Sequence, residues 1–330
     1  MTGTAPAPSL RDAQGRVISY LRLSLTDRCN FRCSYCSPLS PEHHEDPLTR
    51  PEVARLTGIF ARLGIRRVRL TGGEPTLRSD LVEIIRDVAS CPGIEEVAIT
   101  TNGQALAELA GPLRAAGVTR VNISLDTLEP GRLLALSGRA ASLERITAGI
   151  AAAGAARFAS VKLNVVVIGG VNDDEVGALA RFGWRHGAIV RFIELMPFGR
   201  GEPVPLAEVK RRLSAQGIRL EPDSSRGWGP AYHMRGFCKG APAGGGLVGF
   251  IGAMTENFCE GCNRIRVAAD GSLRACLGGR ERMSLKALLR DGTADETIGQ
   301  RIVEALGRKA ERHEMGAAGT QLLPMVGTGG

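Results

Sequence analysis

Short apolar runs recur along the first two thirds of the chain, and most are continuous rather than alternating. They lie at Ile18–Leu25, Val68–Thr71, Glu96–Thr101, Arg120–Leu125, Val161–Val167 and Val190–Leu195. Runs of this length without polar interruption predict parallel strands buried on both faces. Helical spacing of apolar residues covers Pro51–Leu63, Asp80–Ala89, Ala105–Ala116, Leu143–Ala153 and Asp174–His186. Strand–helix alternation of this kind predicts an α/β fold with a parallel sheet and right-handed crossovers. Six such strands are too few for a closed eight-stranded barrel. A partial parallel β/α barrel and an open doubly wound sheet both fit.

The beat then fails. A short helix is expected near Pro205–Gln216, followed by a Gly-, Pro- and Ser-rich stretch that reads as irregular linking structure up to Gly246. Beyond it, Leu247–Ile251 and Arg264–Ala268 have strand character. Asp270-Gly271 predicts a hairpin turn from Arg264–Ala268 into Leu273–Cys276. Helices are expected near Met283–Leu289 and Asp295–Arg312. The division that follows is a barrel over residues 16–245 and a smaller C-terminal extension over 246–330.

Composition narrows the picture. Hydrophobic residues make up 43% of the chain but aromatics only 4%, so the core must lean on Leu, Val, Ile and Ala. The net charge of +8 favours an anionic partner such as a nucleotide. Aromatic interleaving for stacking single-stranded bases is absent, which speaks against nucleic acid. No leader-like or membrane-spanning apolar run is visible, so a cytoplasmic location is expected. Eight cysteines in such a chain are expected to bind metal or pack as thiols.

Three of those cysteines form a C-x3-C-x2-C run at Cys29, Cys33 and Cys36. A cubane iron–sulfur cluster has four irons, each normally held by a thiolate. Three local thiolates leave one iron open for exogenous chemistry, which points to a catalytic cluster rather than an electron carrier. A structural zinc site would pair two hooks and end with four ligands. A second group, Cys259-x2-Cys262 with Cys276 after thirteen residues, is gathered by the expected hairpin. Its hooks also resemble a zinc ribbon, so zinc stays open there. Arg264 and Arg266, two apart on one strand, share a face and suit a polyphosphate. Cys91 and Cys238 stand alone and read as inert thiols. His43-His44-Glu45-Asp46 reads as a solvated loop.

The run Val68–Thr71 ends in Gly72-Gly73-Glu74-Pro75, whose glycines allow close approach of backbone to a ligand. Thr101-Asn102-Gly103, Ser124 and Met196 fall at other strand ends, where parallel sheets bind ligands, and Arg22 and Lys162 fall within strands. There is no G-x4-G-K-[ST] loop, so a nucleotide would not be bound in that fashion. Gly244-x-Gly246-x2-Gly249 precedes a strand rather than opening a helix, and is no dinucleotide site.

The cysteine run with Gly72-Gly73-Glu74-Pro75 resembles the radical S-adenosylmethionine enzymes. With Thr26-Asp27-Arg28-Cys29, Thr100-Thr101-Asn102-Gly103, Asn122-Ile123-Ser124-Leu125-Asp126, Arg191-Phe192-Ile193-Glu194-Leu195-Met196 and the second cysteine group, the chain is similar, within them, to the family that cyclises GTP in molybdenum cofactor biosynthesis. The resemblance implies a partial barrel and two 4Fe–4S clusters, one on Cys29, Cys33 and Cys36, the other on Cys259, Cys262 and Cys276. It implies that Tyr35, Gly73, Ser124 and Met196 hold S-adenosylmethionine. It implies that Arg22, Arg69, Thr101, Lys162, Arg264 and Arg266 contact GTP, with Arg264 and Arg266 also serving catalysis. A 5′-deoxyadenosyl radical would take hydrogen from C3′ of the ribose, and the resulting radical would attack C8 of guanine. Further expectations are an external electron donor, hand-off of product to a cyclic pyranopterin monophosphate synthase, a homodimer, and a Gly329-Gly330 tail reaching the active site. A peptide-modifying radical enzyme and a zinc-stabilised nucleic-acid-binding module are the rival readings.

Overall fold

The computed structural model describes residues 9–36, 46–138, 141–225, 227–279, 281–313, 315 and 325. Ser37, His43, His44, Glu45 and the Gly329-Gly330 tail lie outside the described residues. The expected strands are present as β1 (Tyr20–Ser24), β2 (Arg67–Thr71), β3 (Glu96–Thr101), β4 (Val118–Ser124), β5 (Ser160–Gly169) and β6 (Ile189–Glu194). After them come β7 (Glu202–Pro203), β8 (Arg219–Pro222), β9 (Tyr232–Phe237), β10 (Gly245–Ile251), β11 (Arg264–Val267), β12 (Ser272–Arg274) and β13 (Met283–Ser284).

The sheet runs β13-β12-β11-β1-β2-β3-β4-β5-β6-β10-β9-β8, with β7 beside β5. From β11 through β1 to β6 and on to β10, each adjacent pair is parallel. The two outermost strands, β13 and β8, are not neighbours, so the sheet stays open. This is the partial barrel, and β10 and β11 extend its parallel run at both ends.

Each barrel strand divides its residues between two faces. Leu21 and Leu23 align with Val68 and Leu70 of β2, and all four are fully buried. Arg22 aligns with Arg69 on the opposite, concave face. The apolar face packs under helices such as Arg50–Arg62, whose start is fixed by a Thr49–Glu52 capping box and Pro51. Val53, Leu56, Ile59 and Phe60 of that helix are buried. The strands are therefore apolar toward the helices and polar toward the interior.

The structure corrects the reading of residues 217–246 as irregular. β8, β9 and β10 form an antiparallel meander that joins β6. Glycines stood out there because two of them make a flat seat for an indole. Gly236 and Gly246 are cross-strand partners, and the Trp184 ring lies over both. Trp184 Nε1 donates to the Leu247 carbonyl at 3.2 Å. A helix at Pro130–Ser137, closed by left-handed Gly138, escaped the sequence reading. The last helix ends at Gly307 rather than Arg312, and Met283–Ser284 is a strand that precedes a helix over Leu285–Arg290.

A Cβ at Gly246 would stand 2.4 Å from Trp184 Cδ1. Gly246→Ala is expected to lower stability by about 1–3 kcal/mol through overpacking. Denaturant unfolding checks the loss, with a change in tryptophan fluorescence reporting the displaced ring.

Candidate active site

The concave face carries a crowd of cations. Arg22 aligns with Arg69 on one side and Arg266 on the other. Arg69 Nε donates to the Tyr20 hydroxyl at 2.6 Å, and Nη1 donates to Thr100 Oγ1 at 3.2 Å. Arg191 donates to Asn164 Oδ1 from Nε at 2.9 Å. Arg22, Arg69, Arg191, Arg264 and Arg266 line one cavity of about 1040 Å³, counting its open mouth. Lys162 is the register partner of Asn122, which lines the same cavity.

These cations are held at electrostatic cost. Burial and the neighbouring arginines push Arg22 well below its usual range. Burial and Arg69 bring Arg191 down to about 9, and burial and Arg264 bring Arg266 down to about 10. Burial, then Arg191, Arg69 and Arg120, lower Lys162 to about 7. A polyanion in the cavity relieves that repulsion, since opposite charge favours the charged form of each group.

Two cysteine trios flank this wall. Cys259, Cys262 and Cys276 all line the cavity. Cys262 lies two residues before β11, and Cys276 two residues after β12, which runs back antiparallel, so both sit at the β11 entry end. Arg16 Nη1 donates to the Cys259 carbonyl at 2.9 Å, and Lys309 Nζ donates to Cys262 Sγ at 3.5 Å. Burial raises the Cys262 thiol, but Arg264 and Lys309 outweigh it and leave the thiol at about 6. A thiolate at neutral pH is what a metal ligand requires.

The first trio follows the exit of β1, the parallel neighbour of β11. The two trios thus occupy opposite ends of one strand pair, with the cations between. Burial, Asp126, Cys36 and Cys29 all push Cys33 upward. Burial, then Cys29, bring Cys36 to about 12. Thiols at Cys33 and Cys36 that resist ionising fit a cationic cluster that stabilises their thiolates. Among the described residues no three His, Cys, Asp or Glu side chains converge on a single-ion site. Thiols that each address a different iron of a cubane do not need such convergence.

The Gly72–Pro75 turn braces this loop. Gly73 N–H donates to the Thr26 carbonyl at 2.7 Å and Glu74 N–H to the Arg28 carbonyl at 2.8 Å. The close approach that glycine permits here is to the backbone of the cysteine loop. Buried Glu74 accepts from Thr101 Oγ1 at 2.7 Å and from Asn102 N–H at 2.7 Å. Tyr35 donates its hydroxyl proton to Asp126 Oδ2 at 2.6 Å, and burial raises Asp126 to about 6.

Comparisons with known proteins agree with this geometry. The radical SAM superfamily model matches residues 23–183, and the molybdenum cofactor synthesis C model matches residues 188–315. A GTP 3′,8-cyclase of Heliobacterium modesticaldum is 46% identical over 92% of this chain and 94% of its own length. GTP 3′,8-cyclase 1 of Pseudomonas aeruginosa is 43% identical over 93% of this chain and 94% of its own. The chain belongs to the GTP 3′,8-cyclase family of radical S-adenosylmethionine proteins. In fold it is similar to Streptococcus suis SuiB bound to S-adenosylmethionine, at a TM-score of 0.60 and 15% identity, covering 87% of this chain and 69% of that one.

Within this family frame, the structure brings Arg22, Arg69, Met196, Arg264 and Arg266 onto one cavity with Cys259, Cys262 and Cys276. Tyr35 and Gly73 lie instead around the first cysteine loop. Ser124 is two residues past Asn122, which lines the cavity, and so shares its face. Thr101 does not line the cavity; its hydroxyl is engaged with Glu74, and its neighbour Thr100 faces inward. Sequence reasoning passed over Tyr20, Asn122, Asn164 and Arg191 as site residues. Polar residues at alternate positions of apolar strands were the available signal. Lys309 had none, because it lies past the end of the last helix. Met325 also reaches the cavity, donating its N–H to the Cys36 carbonyl at 3.2 Å.

A Cβ at Gly73 would lie 2.3 Å from the Arg28 carbonyl oxygen, which belongs to backbone and cannot rotate away. Gly73→Ala is expected to displace the first cysteine loop. Iron and sulfide analysis of reconstituted protein should find roughly half the wild-type iron, that of one cubane out of two.

Proposed function

We propose that this chain converts GTP to the 3′,8-cyclised nucleotide at the start of molybdenum cofactor biosynthesis. The observation that carries the reading is the cation wall between two cysteine trios, in a chain of the GTP 3′,8-cyclase family. Cys29, Cys33 and Cys36 would hold one 4Fe–4S cluster, with S-adenosylmethionine kept against it by Tyr35, Gly73, Ser124 and Met196. Cys259, Cys262 and Cys276 would hold the second. When bound, the first cluster and S-adenosylmethionine would supply the radical chemistry that starts the reaction.

The protein's own part is binding, orientation and exclusion of water. Arg22, Arg69, Lys162, Arg264 and Arg266 would neutralise the triphosphate and fix the ribose between the two ends of the barrel. Thr101 would act through the turn that Glu74 braces. Enclosure keeps solvent from a carbon radical. The division into residues 16–245 and 246–330 is functional in this reading: the sheet is continuous, but the second cysteine trio belongs to the C-terminal part. An external electron donor, transfer of product to a cyclic pyranopterin monophosphate synthase, a homodimeric state and a cytoplasmic location complete the proposal. Among the described residues no helix is long and apolar enough to cross a membrane.

The deciding experiment is anaerobic reconstitution with iron and sulfide, then addition of reductant, S-adenosylmethionine and nucleotide. Cyclised product with 5′-deoxyadenosine is expected with GTP and not with ATP. Equal 5′-deoxyadenosine with either nucleotide and no cyclised product would remove GTP as substrate. Arg266→Ala is expected to weaken GTP binding at least about tenfold, the scale of a charged hydrogen bond. Cofactor cleavage should fall less.

Lys162 gives the reading a pH signature. Its lowered value of about 7 means that the ligand-free group loses charge as pH rises through neutrality. A bound triphosphate restores the charge, so binding must take up a proton above that point. GTP affinity is expected to be level below about pH 7 and to decline above it. Lys162→Arg, charged throughout, should flatten the decline measured by equilibrium binding.

A further inference from the structure

The cation wall continues past Arg191 to a histidine. Arg191 of β6 aligns with Gly249 of β10, and Gly249 aligns with His233 of β9. His233 is only 6% exposed. Its Nδ1 lies 2.9 Å from the Ser225 carbonyl oxygen. A carbonyl only accepts, so Nδ1 carries the proton, and Nε2 of the neutral ring is a bare acceptor. That Nε2 is buried and has no hydrogen-bond partner among the described residues.

Two glycines leave room around it. A Cβ at Gly249 would lie 2.7 Å from Arg191 Cγ and 3.3 Å from His233 Cδ2. A Cβ at Gly227 would lie 3.5 Å from His233 Cε1 and 3.9 Å from Lys162 Nζ. Cδ2 and Cε1 are the two carbons bonded to Nε2. The unpartnered nitrogen therefore borders the space shared by Lys162 and Arg191, on the strand side away from β11 and the second cysteine trio. Buried polar atoms are nearly always paired, and an orphan of this kind marks a missing partner.

We propose that His233 is a ligand for the polyphosphate of the bound nucleotide, taking a proton from solvent onto Nε2 and donating it to a phosphate oxygen beside Lys162 and Arg191. The proposal rests on the GTP reading above and adds a residue to it. The charged groups facing the ring are Lys162, Arg191 and Asp223. Burial lowers the ring's affinity for a proton, and Lys162 and Arg191 lower it further; the Ser225 carbonyl and Asp223 oppose them. The ligand-free ring is thus neutral at pH 7.5, and a polyanion reverses the balance. A wall of fixed cations binds any anion of suitable size. A histidine that charges only as the phosphate arrives adds affinity without adding to the repulsion in the empty site.

Two substitutions separate ligand from scaffold. His233→Asn keeps a donor where Nδ1 stands, preserving the bond to Ser225, but removes Nε2. His233→Gln places an uncharged donor near the position of Nε2. Reconstituted holoenzyme, wild type and both variants, is titrated anaerobically at pH 7.5 by calorimetry with GTP and with guanosine. Each titration is run in buffers of different ionisation enthalpy, which counts the protons taken up. His233→Asn is expected to lose about tenfold in GTP affinity, and His233→Gln less. Both should take up fewer protons with GTP than wild type, while guanosine binding is unchanged.

Wild-type GTP affinity and proton uptake in either folded variant overturn the assignment of His233 and leave the GTP reading standing. Equal loss for GTP and guanosine also overturns it, since that is the result for a scaffold residue. Wild-type protein that binds no GTP overturns the functional reading and this one with it.

Discussion

Repulsion among buried cations is the constraint on which the interior depends. Arg22, Arg69, Lys162, Arg191 and Arg266 are gathered on the concave face of a sheet whose other face is packed with Leu, Ile and Val. Several of them hold their protons less firmly than they would in water. A folded chain tolerates this arrangement because the apolar face stabilises the sheet independently, through ordinary burial. The interior is then free to be built for an anion that arrives later. Tyr20, Thr100 and Asn164 orient the guanidinium groups without neutralising them.

The two thiol trios show opposite solutions to the same problem of holding sulfur ready for iron. At Cys262, Arg264 and Lys309 stabilise a thiolate before any metal is present. At Cys33 and Cys36 burial, mutual proximity and Asp126 keep the thiols protonated until a cationic cluster replaces the protons.

Much of this architecture was legible because it rests on patterns that survive in one dimension. Continuous apolar runs separated by helical spacing located β1 to β6, and the Asp270-Gly271 turn brought Cys276 back toward Cys262. What escaped depends on pairing between distant segments. Nothing local in Gly236 or Gly246 reveals that the two glycines will be cross-strand partners under Trp184, so the meander read as a linker. The cavity was legible in part: Arg22, Lys162, Arg264 and Arg266 stood out as charges in apolar strands. Thr101 was placed by the strand-end rule, which does not say which of two adjacent threonines turns inward. His233 sits in the segment whose strand character was hidden, so its register with Gly249 and Arg191 had no one-dimensional trace.

The placement of β11 beside β1 has a consequence for how the molecule is made. β1 leaves the ribosome well before β11 and its cysteines. Until then β1 has a parallel partner on one edge only, and the other edge presents unpaired backbone groups to any passing strand. Domains form as their residues emerge, at about 5–20 residues per second. The nascent barrel must therefore wait, half-edged, for its final stave. During that interval the half-built molecule is most open to chaperones, and to aggregation where they are lacking.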